Sequence, residues 1–321
     1  MKIGTRGSTL AMIQTKSIAD IIVKEMNIKT DIVVISTQGD RMVDRPFHDL
    51  EGRGYFTKEI EDALLRCEID AAVHSFKDVR SESPEGLVIV AVTEREDPSD
   101  LLVIRSESYS AFNRSELTAE SSYQPRWVDS GRDRRVDDRK MNIPLHSGAI
   151  IGTSAVRRQV QIKAIRPYLE VKDLRGNVPT RLHKLADGQY DAIFLATAGV
   201  NRLQIDLSEF KVFKFDPVFF IPSPGQGGLA VQMRENDPLF NRLRILLHHD
   251  ATGQATSLER DVMARFGGGC GLPLGVYAKP VEENWEVYGF WGQDTNNPVW
   301  GAVSGKYADG LSEELYNKLT E

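Results

Sequence analysis

Lys2-Ile3-Gly4-Thr5-Arg6-Gly7-Ser8-Thr9 opens the chain, and its reading decides the fold. The stretch Lys2–Thr5 reads as a short strand. It passes through a turn of arginine, glycine and serine into a helical stretch that reaches about Lys24. The same unit recurs further along. Ala149-Ile150-Ile151 leads through Gly152-Thr153-Ser154 into a helix ending near Ile165. Residues 171–174 lead through Arg175-Gly176-Asn177 into a helix ending near Ala186. Residues 32–35, 69–73, 87–92 and 192–196 are β-branched or apolar runs that read as further strands. Thr57 is placed to cap a helix whose apolar face is Ile60, Ala63, Leu64 and Cys67. Strands alternating with helices predict an α/β fold with mostly parallel sheets.

After Pro222 the pattern changes. Pro222-Ser223-Pro224-Gly225-Gln226-Gly227-Gly228 is a breaker cluster that predicts a crossing or hinge. A strand at 229–233 follows, then helices at about 239–248 and 256–266, then the glycine loop Gly267-Gly268-Gly269-Cys270-Gly271. Strand patterns at 276–278, 285–290 and 299–303 and a closing helix from Ser312 read as a small α+β domain. The expected division is a discontinuous first lobe (1–96 plus 228–246), a second lobe (97–227) and a C-terminal domain (247–321). Residues 117–141 are polar and of mixed charge, with Arg132, Asp133, Arg134, Arg135, Asp137, Asp138, Arg139 and Lys140. They read as a surface insertion, and their interleaved acids favour a solvated loop over a nucleic-acid face.

Bulk composition excludes several classes. The chain has 321 residues, 41% hydrophobic and 27% charged, so it can bury several cores without disulfides or metals. Cys67 and Cys270 fit neither a disulfide framework nor a zinc site, which predicts a reducing compartment. The net charge of −6 argues against nonspecific nucleic-acid binding. No signal-peptide core or membrane-length apolar run is evident, so a cytoplasmic protein without a membrane partner is expected.

Three strand-to-helix turns carry arginine: Arg6, Arg157 with Arg158, and Arg175 with Arg181 one turn on. A helix start presents free N–H groups and the positive end of a dipole, small residues admit a ligand, and arginine grips a carboxylate with two hydrogen bonds. Ligands of open parallel sheets bind at the carboxyl ends of strands. Three such turns therefore predict a cleft for a polyanion, although each alone also reads as a capped helix with a surface arginine. No P-loop is present, which weighs against a nucleoside triphosphate. After the strand at 69–73 come His74-Ser75-Phe76-Lys77-Asp78. Lys77 offers a cation for substrate acids, and Asp78 a carboxylate suited to stabilising a developing cation; a strand-end ion pair is the alternative. Cys67 reads as a core residue. Cys270, flanked by glycines, reads either as a passive loop residue or as an attachment point.

Together these segments resemble the porphobilinogen deaminase family. The matching stretches are Gly4-Thr5-Arg6-Gly7-Ser8-Thr9-Leu10-Ala11, Ser36-Thr37-Gln38-Gly39-Asp40, His74-Ser75-Phe76-Lys77-Asp78-Val79, Arg95-Glu96-Asp97-Pro98-Ser99-Asp100, Gly152-Thr153-Ser154 through Arg157-Arg158-Gln159, Leu174-Arg175-Gly176-Asn177-Val178, Pro224-Gly225-Gln226-Gly227 and Gly268-Gly269-Cys270. Each is weak alone; in this order, over most of the chain, they are specific. The resemblance implies two lobes like the halves of periplasmic solute-binding proteins, with a cleft between them, plus the small C-terminal domain. It implies a dipyrromethane cofactor joined by a thioether to Cys270, onto which four porphobilinogens are condensed with loss of ammonia. Water then releases hydroxymethylbilane, for tetrapyrrole and haem synthesis.

By motif match, Asp78 is the catalytic carboxylate. Arg6, Ser8, Ser75, Lys77, Thr153, Ser154, Arg157, Arg158, Arg175 and Arg181 match cofactor or substrate contacts, with Arg202 and Gln226 matching more loosely. Gln14, beyond Ser8 on the same helix, is expected to face the cleft; Arg53 and Lys58, in a stretch (39–58) that the resemblance implies is a mobile lid, are placed to reach substrate acids, with a solvated loop as the alternative. A monomer without metal or nucleic-acid partner is the family expectation. Three departures stand out: Ala155 where a second serine is common, Arg53 where lysine is usual, and Pro179 in place of a small residue. Two rival functions remain at this stage. A solute receptor would explain the lobes and arginines but not Cys270 or the third domain; a nucleic-acid binder would rest on the insertion alone.

Overall fold

The computed structural model describes residues 1–41, 55–109, 126–128, 143–269 and 271–321. The chain begins with β1 (Lys2–Thr5), α1 (Thr9–Met26), β2 (Asp31–Val34), α2 (Gln38–Arg41), α3 (Lys58–Leu65), β3 (Ala71–Ser75) and β4 (Leu87–Val92). It continues with β5 (Asp100–Arg105), β6 (Arg126–Val128), β7 (Ile150–Gly152), α4 (Val156–Ile165), β8 (Glu170–Lys172), α5 (Val178–Ala186), β9 (Ala192–Ala196), α6 (Thr197–Leu203) and β10 (Phe210–Lys214). Then come β11 (Leu229–Arg234), α7 (Phe240–Leu247), α8 (Asp250–Arg265), β12 (Leu274–Val281), β13 (Asn284–Trp291), β14 (Val299–Gly305) and α9 (Leu311–Thr320).

These strands form three sheets, in the orders β2-β1-β3-β11-β4, β10-β5-β9-β7-β8 and β12-β13-β14-β6. In the first, β1 pairs in parallel with β2 and β3, while β11 runs antiparallel to β3 and β4. In the second, β7 pairs in parallel with β8 and β9, while β5 is antiparallel to β9 and β10. The antiparallel strands follow from the chain path. The chain leaves the first sheet after β4, builds the second, and returns as β11, so strands entered by a crossing run against their neighbours. The two crossings touch each other: Glu96 N–H donates to Gly227 O at 3.2 Å and Thr93 N–H to Leu229 O at 3.0 Å.

Local sequence explains the helices. Ser8 accepts a hydrogen bond from Ala11 N–H at the start of α1, and Asn27 ends the helix at φ 53°, a conformation asparagine tolerates. Ile18, Ala19 and Ile22 fall on one face and pack with Ile3, Val73 and Val231. α3 covers the opposite face of that sheet through Ile60, Ala63 and Leu64 against Ile69, Ala72 and Leu87. Asn177 caps α5 by accepting from Thr180 N–H, and Pro179 lies in its first turn, where the missing N–H costs nothing. In the third sheet, Leu258 and Val262 of α8 and Leu315 and Leu319 of α9 close over Val276 and Val287.

Several expectations need correction. Cys67 is exposed rather than core, because α3 stops at Leu65 and Cys67 turns out at φ 58°. Thr57 precedes α3 without a side-chain capping bond. The strand expected at 171–174 is β8, one residue earlier and shorter, and α8 begins well before Thr256, so α7 and α8 nearly abut. α6 and β10 were not anticipated from the sequence. Within the expected insertion, residues 126–128 add to the third sheet as a strand parallel to β14; the rest of 117–141 lies outside the described residues, as do Arg53 and Cys270.

Candidate active site

β1 and β3 are adjacent parallel strands, so the residues that follow them share one rim of the first sheet. Arg6 and Ser8 follow β1, Ser75 ends β3, and Lys77 and Asp78 lie in a 3-10 turn spanning Phe76–Asp78. With Gln14, Phe56, Thr57 and His74 they line a cavity of about 110 Å³. Its polar groups are held in place. Ser75 Oγ donates to Gln14 Oε1 at 3.1 Å, Ser8 caps α1, and the Arg6 guanidinium lies 4.2 Å from the Phe56 ring centroid. His74 Nε2 sits 3.2 Å from Gln232 Oε1, and burial lowers its pKa to about 4, so at neutral pH the imidazole is uncharged.

Lys77 links this rim, through Gln226, to a buried ionic cluster. Asp100 Oδ2 accepts from Arg157 Nη2 at 2.8 Å, and its Oδ1 accepts from Arg158 Nη2 at 2.7 Å. Gln226 completes the set: its Nε2 donates to Asp100 Oδ1 at 2.8 Å and to Pro98 O at 2.7 Å, while its Oε1 accepts from Lys77 Nζ at 3.4 Å. Burial raises the Asp100 pKa, but the two guanidiniums outweigh it and hold the carboxyl below its ordinary range. Burial pulls Lys77 down to about 8, opposed by Asp78 and reinforced by Arg158 and Arg157. Lys77, Arg157 and Arg158 outnumber Asp78 and Asp100, so a net positive field remains below the cavity, suited to carboxylates. The guanidiniums of Arg157 and Arg158 lie 5.9 and 5.7 Å from the rings of Phe220 and Phe194, which fixes the floor of the second lobe to its aromatic core.

The rim of the second sheet carries the remaining sequence-derived residues. Thr153 Oγ1 accepts from Ala155 N–H at 3.2 Å, at the helix start where the side-chain cap of a serine is missing. Ser154 Oγ both accepts from Leu174 N–H and donates to Leu174 O at 3.1 Å, joining the ends of β7 and β8. Arg181 Nε donates to Gly176 O at 2.8 Å; burial, then the nearby Arg158 charge, lower its pKa to about 10. The Arg175 carbonyl accepts from Lys184 Nζ at 3.2 Å, and Arg202 reaches from α6 to Gly227 O at 2.7 Å.

The structure thus brings Arg6, Ser8, Gln14, Ser75, Lys77 and Asp78 to one cavity. Arg157, Arg158 and Gln226 are buried beside Asp100, linked to the cavity through Lys77 rather than lining it. Lys58 is exposed on the first turn of α3 and does not line the cavity. Sequence reading missed Asp100 and Glu259. An acid opening the apolar strand β5 is the signal in the sequence that marks Asp100. Glu259 is fully buried in α8, accepts from Arg95 at 2.6 and 3.1 Å, and also accepts from Gly225 N–H and Ala278 N–H.

Residues 1–242 match the family model described as "Porphobilinogen deaminase, dipyromethane cofactor binding domain". The chain belongs to the porphobilinogen deaminase family. Among relatives, a "Probable porphobilinogen deaminase" of Methanocella arvoryzae is 39% identical over 90% of this chain and 83% of its own length. The porphobilinogen deaminase of Trichlorobacter lovleyi is 37% identical over 99% of this chain and 92% of its own. That of Streptococcus sanguinis is 32% identical over 100% of this chain and 95% of its own, so the resemblance extends past residue 242 into the third sheet. The chain also overlays the methionine binding protein MetQ at a TM-score of 0.42 and 12% identity, too loosely to add to the assignment made by the sequence relatives. As a porphobilinogen deaminase family member the chain combines two lobes with mixed sheets and a small C-terminal sheet, the fold class expected from its motifs.

Proposed function

We propose that this chain is a hydroxymethylbilane synthase whose Asp78 stabilises the cation formed when porphobilinogen loses ammonia. It condenses four porphobilinogens in turn onto a cysteine-linked dipyrromethane and releases hydroxymethylbilane by hydrolysis. The observation that carries the reading is one carboxylate, Asp78, facing a cavity rimmed by Arg6 and Lys77.

Each porphobilinogen bears an acetate and a propionate, and the donor set of the cleft fits them. Arg6 and Lys77 on the first rim, and Arg175 and Arg181 on the second, are the cations proposed to hold the side-chain carboxylates of cofactor and substrate, with Ser8, Ser75, Thr153 and Ser154 as neutral partners. The same set fits a dipyrromethane, which carries four such acids and two ring N–H groups; when bound, it supplies the nucleophilic pyrrole carbon for the first condensation. Cys270 is the proposed attachment point, and its glycine neighbours leave room for a bulky group. Asp78 acts as an ionised acceptor toward the electron-poor pyrrole of the substrate as its ammonia departs. His74 is neutral and held by Gln232, so it adds no positive charge to oppose that cation. Arg157, Arg158 and Gln226 contribute by fixing Lys77 and the field beneath it.

The proposed units are residues 1–96 with 228–246, residues 97–227, and residues 247–321; they follow the three sheets except that β6, from the second range, joins the third sheet. We further infer a cytoplasmic monomer without a nucleic-acid partner; no described helix is long and apolar enough to cross a membrane. Intact-protein mass spectrometry tests the assignment. Protein from a porphobilinogen-supplied host is expected to carry the added mass of a dipyrromethane, lost in Cys270→Ala. Parent protein at its bare sequence mass from such a host would contradict it.

A further inference from the structure

Adjacent residues of α8 serve two different segments. Their side chains leave the helix about 100° apart. Glu259 turns to the crossing segments, where it holds Arg95 and Gly225. Arg260 turns to the segment that follows β3. Its Nη1 donates to Val79 O at 3.0 Å, its Nη2 donates to Arg80 O, and its guanidinium carbon lies 4.5 Å from the Phe76 ring centroid. One side chain from α8 therefore contacts the first residue of the turn that carries Lys77 and Asp78 and grips the two carbonyls that follow the turn. A second contact reinforces the first. Gly268, just beyond α8 at φ 60°, lies so close to Ser81 that a Cβ there would collide with its Oγ.

We propose that Arg260 is a positioning residue for the Asp78 carboxylate; this rests on the reading of Asp78 given above. The turn itself is a single 3-10 turn closed by Val79 N–H to Phe76 O at 3.1 Å, which by itself does not fix where its acid points. The planar fork of arginine spans two successive carbonyls while its flat face packs on Phe76. A lysine at this position reaches one carbonyl at a time. Glutamine at this position keeps one side-chain donor for these carbonyls but not the two-pronged grip, so the turn gains freedom. Misplacing a reacting group by about 1 Å costs on the order of 10²-fold in rate.

The test is a double-mutant cycle on adduct-bearing protein, confirmed as such by mass, comparing parent, Arg260→Gln, Asp78→Asn and the double variant, with Arg260→Lys alongside. Arg260→Gln is expected to lower kcat roughly 10- to 100-fold with KM within about threefold of the parent, and Arg260→Lys to recover part of it. In the Asp78→Asn background, Arg260→Gln is expected to change kcat no further, because the carboxylate whose position it sets is already gone. Equal losses in both backgrounds, an unchanged kcat, or a rise in KM alone would overturn the proposal while leaving Asp78 in its role. Parent-like turnover in Asp78→Asn would instead overturn the reading of Asp78 and this inference with it. Should Arg260→Gln fail to fold, Arg260→Lys carries the same cycle with a smaller expected loss in kcat.

Discussion

The Arg95 guanidinium and the Glu259 carboxylate meet through two hydrogen bonds of 2.6 and 3.1 Å, tying the outgoing crossing segment to the longest helix of the third unit. Glu259 has no exposed surface, and it also accepts the N–H groups of Gly225 and Ala278. Four donors thus converge on one buried carboxylate, which explains how an acid is tolerated there.

Removing that carboxylate leaves a cation and two backbone donors without their acceptor. Glu259→Leu is expected to cost about 3–5 kcal/mol of folding stability, read as a lower urea midpoint. A loss below about 1 kcal/mol would mean that water or another acid replaces it.

Asp100 anchors the second cluster, between Arg157 and Arg158. Asp100→Asn keeps the shape but leaves two buried guanidiniums facing a neutral amide. We expect a similar loss, about 3–5 kcal/mol. The lost negative charge no longer supports Lys77, so the apparent pKa of substrate binding is expected to fall below that of the parent. An unchanged binding profile would show that Lys77 does not sense Asp100.

His74 gives stability a pH dependence of definite sign. Its folded pKa, about 4, lies below the ordinary 6.5, so the unfolded chain binds a proton that the native fold excludes. The contribution is fully present above pH 6.5 and is lost as pH falls towards 4, at up to about 1.4 kcal/mol per pH unit. Unfolding midpoints measured across that window should fall less steeply in His74→Gln than in the parent. Parallel curves would remove His74 as the source.

Lys77 is expected to set the alkaline limit of substrate binding. Burial lowers its pKa to about 8, so the ammonium proposed to meet substrate carboxylates is lost as pH rises through that value. KM for porphobilinogen is expected to rise about tenfold above it, the scale of one charge-assisted contact. Lys77→Arg, whose charge persists, should flatten that rise. A parent KM that stays level through pH 9 would contradict the role.

Much of this was legible in the sequence because strand-turn-helix units announce themselves locally. Arg6, Ser8, Ser75, Lys77 and Asp78 follow strands whose apolar runs are plain, and the strands place them on one rim. What escaped was set by long-range pairing. Nothing local shows that Asp100 would receive Arg157 and Arg158 from a helix more than fifty residues away, or that Glu259 would receive Arg95. The antiparallel place of β11 likewise depends on the return crossing, not on its own residues. Cys67 fitted the helical period, but α3 ended two residues before it, at a boundary the period does not mark.

The account turns on what Asp78 does once the cofactor is in place. Single-turnover condensation of porphobilinogen by adduct-bearing Asp78→Asn measures this most directly. We predict a rate about 10²- to 10³-fold below that of the parent, with the dipyrromethane mass retained. An adduct-bearing variant that condenses porphobilinogen within about threefold of the parent rate would contradict the account, since a lost charge interaction on the scale of 1.4 kcal/mol already changes a rate about tenfold.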